Sequence, residues 1–175
     1  MADELLTDLR FGVLAHDVPV LADQREHGAD LNAEAIFASP VPGSALTDVA
    51  PDWRWLLRPA PDIGIEANTN GYTSQVYVGL TWTADLDTDG VLWPDHAVFV
   101  AIGFGPAFNN GHVHTTEGNR LSLGSNVLFH PSLEVGYRIT RVWSLSVFFD
   151  HSSNGGLARD NAGLDNLGMR LGLHF

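Results

Sequence analysis

The sequence predicts an all-β chain, an eight-stranded antiparallel transmembrane β-barrel in which residues 1–175 form one domain. Three observations predict it. Apolar and polar residues alternate with period two along the whole chain, and long helical periodicity is absent. The polar parity carries carboxylates and arginines together, as an ion-paired barrel interior does. The number of strand-like segments is even, as in single-chain bacterial outer-membrane barrels, and the last residue, Phe175, continues the apolar parity of the last segment.

The first segment, residues 8–16, sets Leu9, Phe11, Val13 and Ala15 against Asp8, Arg10, Gly12 and His16. The second sets Leu31, Ala33, Ala35 and Phe37 against Asn32 and Glu34, and the third sets Ile63, Ile65 and Ala67 against Asp62, Gly64, Glu66 and Asn68. The fourth alternates Val76, Val78, Leu80 and Trp82 with Gln75, Tyr77, Gly79, Thr81 and Thr83. The fifth, within residues 91–108, is apolar on both parities, so its limits are poorly marked. The sixth sets Phe129, Leu133, Val135 and Tyr137 against His130, Ser132, Glu134 and Arg138. Pro131, which has no N–H, predicts a bulge or gap in its ladder. The seventh covers residues 143–153 and the eighth residues 166–175, where Leu167, Met169, Leu171, Leu173 and Phe175 oppose Gly168, Arg170, Gly172 and His174. With both termini periplasmic, Trp55, Trp93, Trp143, Trp82 and Tyr137 all fall toward one membrane interface, as an aromatic girdle.

Composition narrows the function. No run of 18 apolar residues exists, so no helix of the sequence spans a membrane, while a barrel needs only about ten alternating residues per strand. The absence of cysteine removes disulfides, thiolate catalysis and cysteine-ligated metals. A formal charge of −12 with no basic stripe argues against nucleic acid as a partner. The opening MADELLTDLR is not a secretory signal, and the expectation is that Met1 stands where a signal was removed.

The run FFDHSSNGG, residues 148–156, carries the chemistry. His151 and Ser153 share the apolar parity of Trp143, Leu145, Val147 and Phe149, which places an imidazole and a hydroxyl on the greasy side of the strand where it leaves the hydrocarbon. Asp165, across the hairpin, has the parity of Leu167, Met169 and Leu171, so His151, Ser153 and Asp165 converge on one external patch. A serine hydroxyl becomes a nucleophile when a base takes its proton, imidazole suits that role, and a carboxylate on the far ring nitrogen fixes the tautomer. Asn154, Asn161 and the N–H groups of Gly155 and Gly156 are candidates to receive an oxyanion or to shape the site. The competing reading is a polar turn of Asn, Gly and Ser beside a surface histidine.

HSSNGGL, Asn161, the GLD of residues 163–165 and the closing strand NLGMRLGLHF resemble the lipid A 3-O-deacylase family of outer-membrane β-barrels, the PagL type. The resemblance extends more loosely over all eight strands, including DLNAEAIF. It implies His151 as base, Ser153 as nucleophile and Asp165 as acid, the last a departure from the glutamate of better-known members. It implies Asn154 and Asn161 as site-shaping or oxyanion residues. It further implies hydrolysis of the 3-O-linked acyl chain of lipid A in the outer leaflet, with lipopolysaccharide and outer-membrane lipids as partners, in the bacterial outer membrane. Acyl chains would lie along Phe149, Val147, Leu167 and Met169, and Arg159 is a candidate contact for a lipid phosphate. No metal or organic cofactor is implied, and a homodimer is allowed because the family includes one.

Other motifs read as solvated loops. His112, His114 and Glu117 have a loose metal-ligand spacing. The acidic Asp85, Asp87, Asp89 and Asp95 do not match a calcium loop. His16, His27, His96, His130 and His174 have no recognisable partners in sequence. Two further functions stay open: a noncatalytic eight-stranded barrel with a structural or adhesion role, and a soluble lipid-binding β-barrel.

Overall fold

The computed structural model describes residues 5–86 and 98–175. Eight strands form a closed barrel in which each pairs antiparallel with its sequence neighbour and the last closes on the first. They are β1 (Leu6–Ala15), β2 (Ala29–Phe37), β3 (Ala60–Asn68), β4 (Gln75–Leu86), β5 (Val98–Asn109), β6 (Val127–Arg138), β7 (Trp143–Ser152) and β8 (Leu164–His174). At 9–12 residues each, they have the length a tilted membrane-spanning strand requires. Closure leaves no unpaired edge, which is the condition for backbone to cross hydrocarbon.

The two parities separate as expected. Phe11, Val13, Leu31, Phe104, Val147 and Met169 are 52–58 % exposed, except Val147 at 51 %, and together they coat the outside of the barrel. A patch of that extent is far beyond the few hundred Å² that a soluble monomer shows, and it rejects the soluble barrel, whose apolar face would point inward. Leu167, Met169 and Leu171 all point outward.

The lumen is solid and polar. Arg10 donates to Glu134 at 2.6 Å, and Arg170 reaches Glu34 at 3.0 Å and Glu134 at 3.3 Å. Arg170 also donates to the Tyr77 hydroxyl, which donates in turn to Glu34. The Arg170 guanidinium lies over the ring of Phe148, the one large apolar side chain on the inner parity of β7. Inward glycines make room for aromatic rings: a Cβ at Gly64 would overlap Tyr77, and one at Gly136 would overlap Phe99. These buried charges are ion-paired, which is the condition for keeping them there.

β5 begins at Val98, and residues 91–97, including Trp93, Asp95 and His96, lie outside the described residues, as do Asp87 and Asp89. β8 begins at Leu164 and so includes Asp165, whereas β7 ends one residue before Ser153. Trp55 lies in the last of three short 3-10 turns between β2 and β3 (Gly43–Leu46, Pro51–Trp53 and Trp55–Leu57), ahead of the start of β3.

Pro131 falls where a ladder gap was expected. The β6–β7 register runs from Arg138↔Ser144 to Ser132↔Asp150 and resumes only as a bridge between Phe129 and Ser153. Pro131 sits in the interval, level with His151, because it has no N–H to give β7.

At the barrel end remote from the termini, four loops close the mouth. Leu121, Leu123, Leu128 and Leu164 form a small buried cluster there, with Ala162 against it. His16 lies beneath, bonded through Nδ1 to Asp30 at 2.8 Å and through Nε2 to Glu26 at 3.1 Å. Glu26 also accepts the N–H groups of Thr73 and Leu121, so one carboxylate ties three loops together. The two flanking carboxylates overcome the burial cost of charge and raise the His16 pKa to about 9, and the same contacts lower that of Glu26 to about 2. Asp17, at φ 52, accepts the N–H groups of Arg25 and Glu26 and fixes the β1–β2 loop from its other end.

Candidate active site

The β7–β8 register sets His151 directly opposite Asp165. His151 Nδ1 lies 2.5 Å from Asp165 Oδ1. The carboxylate is fully buried, and the imidazole is about one-fifth exposed, so the acid is walled in and the base opens outward. Asp165 Oδ2 accepts the N–H groups of Leu21 at 2.5 Å and Ala22 at 3.0 Å, both from the β1–β2 loop. Three contacts therefore hold the carboxylate in a fixed orientation. With Nδ1–H given to Asp165, the Nε2 lone pair of His151 is the free acceptor.

Gly163 completes the pocket around the ring. Its φ of 73° suits glycine, and a Cβ there would stand 3.2 Å from His151 Cε1 and 3.1 Å from Ala22 Cβ. A side chain would press the imidazole off its line to Asp165.

Ser153 is two residues beyond His151 on the same side and is partly exposed. Its backbone N–H and C=O pair with Phe129 of β6, which pins the residue after the strand has ended. Its hydroxyl makes no hydrogen bond among the described residues.

The oxyanion candidates divide. Both Nδ2 donors of Asn154 are committed, to the carbonyls of Leu123 at 2.8 Å and Asp160 at 2.6 Å, and its Oδ1 accepts Gly156 N–H at 2.9 Å. Asn154 therefore shapes the β7–β8 loop and has no donor left for an oxyanion, and Gly156 N–H is likewise spent. Gly155, at φ 65, has an N–H without a partner among the described residues, as has the Nδ2 of Asn161. Asn161 Oδ1 accepts Asn154 N–H at 2.9 Å, which anchors the carboxamide beside Ser153.

Two concavities flank the site. A polar cleft of about 530 Å³ is lined by Leu21, Ala22, Asp23, Arg25 and Asn161. An apolar groove of about 300 Å³ is lined by Pro106, Val127, Phe129, Leu157 and Ala158. Phe149 is half-buried, Leu167 is exposed beside it across the β7–β8 pair, and Arg159 is exposed on the loop without lining either concavity.

Several histidines have partners that the sequence did not reveal. His16 bonds Asp30 and Glu26, and His174 bonds Asp8 at 2.5 Å. His130 stacks on Tyr77 with ring centroids 4.3 Å apart. His114 pairs with Asp160 at 2.7 Å, which takes it away from a site with His112 and Glu117. The Leu21 and Ala22 amides and the Gly163 contact were also out of reach, because each spans a loop-to-strand contact with no periodic signal.

The family model described as "Lipid A 3-O-deacylase (PagL)" matches residues 44–174, three-quarters of the chain. The chain belongs to the PagL family of lipid A 3-O-deacylases. Among solved structures it is similar to that described as "Crystal structure of the outer membrane enzyme PagL". The TM-score is 0.68 at 17 % identity, covering 96 % of this chain and 99 % of that one. It is also similar to Neisserial surface protein A (NspA), with a TM-score of 0.55 at 11 % identity and 96 % of each chain covered. No curated protein matches by sequence. Family and fold together make the chain an eight-stranded outer-membrane barrel of a hydrolase family related to lipid A.

Proposed function

We propose that the protein is a serine esterase that hydrolyses the 3-O-linked acyl chain of lipid A in the outer leaflet. The observation that carries this is the His151–Asp165 pair on the outer wall of the barrel, with Ser153 two residues away on the same side. A lipid ester lying in the leaflet meets that wall without entering the lumen. The lumenal His130–Asp150 pair, by contrast, is sealed behind the strands.

In this reading Ser153 Oγ attacks the ester carbonyl while its proton passes to His151 Nε2. Asp165 stabilises the imidazolium through Nδ1–H. Asn161 Nδ2 and Gly155 N–H receive the negative charge on the tetrahedral oxygen. Collapse breaks the bond to the sugar 3-oxygen, which leaves as a hydroxyl with the proton from His151. Water, deprotonated by His151, then cleaves the acyl-Ser153 ester and releases the 3-hydroxy fatty acid. The apolar groove beside Phe129 and the outer wall near Phe149 and Leu167 suit acyl chains. The cleft with Arg25, and Arg159 on the loop, suit the polar and phosphorylated headgroup.

The test is mass spectrometry of lipid A from cells that export the protein to the outer membrane. The parent chain removes one 3-hydroxyacyl group, and Ser153→Ala and His151→Ala each leave lipid A intact although the barrel is folded. Unchanged lipid A with the parent chain refutes the reading and favours a noncatalytic barrel.

A further inference from the structure

Inside the mouth of the barrel, one layer below the His16–Glu26 latch, three strands point ligand-forming side chains at one spot. Glu66 comes from β3, His130 from β6 and Asp150 from β7, and one ligand atom from each lies within 4.8 Å of the others. All three are buried, at 1 %, 3 % and 0 % exposure.

Their hydrogen bonding is incomplete in a specific way. Every basic residue of the chain other than histidine is an arginine, and the two that are buried among the described residues, Arg10 and Arg170, bond Glu34, Glu134 and Tyr77. No arginine hydrogen-bonds Glu66 or Asp150 among the described residues. Glu66 Oε2 accepts only the neutral amides of Gln75 at 2.7 Å and Asn166 at 2.8 Å. Asp150 Oδ2 and His130 Nε2 are buried without any hydrogen-bond partner. His130 Nε2 stops 3.6 Å from Asp150 Oδ1, too far for a hydrogen bond.

Two adjacent buried carboxylates without a guanidinium are costly unless they share a proton or a cation. A separation of 3.6 Å is close to the ~3.3 Å between two ligands of one tetrahedral Zn²⁺ with bonds of about 2.0–2.1 Å. Tyr77 stacked on His130, and Gln75 and Asn166 bonded to Glu66, hold the ring and the carboxylate in orientation, as outer contacts of a metal site do.

We propose that Glu66, His130 and Asp150 form a binding site for a divalent transition-metal ion of the zinc class within the barrel lumen. One imidazole nitrogen and two carboxylates suit Zn²⁺ or Co²⁺, whereas Ca²⁺ and Mg²⁺ favour all-oxygen shells. The ion is structural. It joins β3, β6 and β7 across the lumen, immediately behind His151, and the proposed ester hydrolysis makes no use of it. The loops over the mouth bury the site, so the ion enters during folding.

The experiment refolds the full chain from urea into detergent micelles with Zn²⁺ or Co²⁺, removes loose metal by dialysis, and measures bound metal by plasma mass spectrometry. The parent chain retains about one ion, bound Co²⁺ gives visible d–d absorption, and Zn²⁺ raises the urea midpoint. His130→Gln and Asp150→Asn each bring bound metal to background while the barrel keeps its folded gel mobility. Joint replacement of His112 and His114 by Ala leaves binding unchanged. Background metal in the parent chain overturns the proposal and assigns the carboxylates a shared proton. Binding that survives in a folded His130→Gln or Asp150→Asn chain overturns it too. None of these outcomes depends on deacylase activity, so the site and the proposed function fail separately.

Discussion

Replacing Asp165 by asparagine changes one proton-accepting oxygen into a donor and little else. The carboxylate takes three hydrogen bonds: His151 Nδ1 on one oxygen, and Leu21 N–H and Ala22 N–H on the other. An asparagine can satisfy the two loop amides only with its carbonyl oxygen, so its NH₂ must face His151. A donor there demands that Nδ1 be the acceptor, which moves the ring proton to Nε2, the atom that must take the Ser153 proton. In a serine protease triad the equivalent tautomer error costs about 10⁴ in kcat. Here a loss of about 10³–10⁴ is expected, ~4–5 kcal/mol of barrier. KM changes little because Asp165 is buried away from substrate. The assay is release of 3-hydroxy fatty acid from lipid A in detergent micelles, with folded gel mobility as the control. Asp165→Glu keeps the charge and the tautomer and retains activity within about 10²-fold of the parent, the remaining loss coming from displaced geometry. If Asp165→Asn stays within tenfold of the parent, Asp165 does not set the His151 tautomer and the catalytic reading of the pair is wrong.

Gly163→Ala places a methyl 3.2 Å from the His151 ring at a φ of 73°, and kcat falls while the barrel still folds. Activity equal to the parent would show that the ring does not need that line. Val147→Arg puts a charge on the lipid face at mid-strand, opposite Met169, and costs about 2–4 kcal/mol in reversible unfolding from lipid vesicles. An unchanged free energy would reject the outward assignment of β7. The His16 latch gives a pH dependence of known sign. Its folded pKa, about 9, lies above the unfolded 6.5, so its contribution is complete below about pH 6.5 and is lost as pH rises through about 9. Glu26, with a pKa lowered to about 2, contributes above about pH 4.5 and loses that contribution as pH falls toward 2. Urea midpoints between pH 6 and 10, scanned in steps of about one pH unit, should fall on the alkaline side, and His16→Gln should flatten that slope. A parent curve without an alkaline fall removes the latch from the stability of the mouth.

Much of this was legible in the chain because a strand encodes its faces locally. Leu9, Phe11 and Val13 against Arg10 and Gly12 settle which side of β1 meets lipid, since side chains alternate with the pleat whatever the partner strand. The same rule put His151 and Asp165 on the outer wall, and the hairpin between β7 and β8 is short enough for parity alone to bring them together. β5 was blurred because its apolar residues occupy both parities, and only pairing with β4 and β6 fixes its register.

The sequence by itself determined the alternation, the strand count, the polar lumen and the residues that meet at His151. The tertiary structure alone decided what depends on contacts across loops. It brought Leu21 and Ala22 onto Asp165 from a distant loop and placed Gly163 against the ring. It bound both Asn154 donors to backbone carbonyls, leaving Asn161 and Gly155 as the free groups beside Ser153. It also gathered Glu66, His130 and Asp150 into one layer of the lumen. Periodicity says which way a side chain points along its own strand. Barrel closure sets which residues of separate strands share a level, and that is where the site and its supports were built.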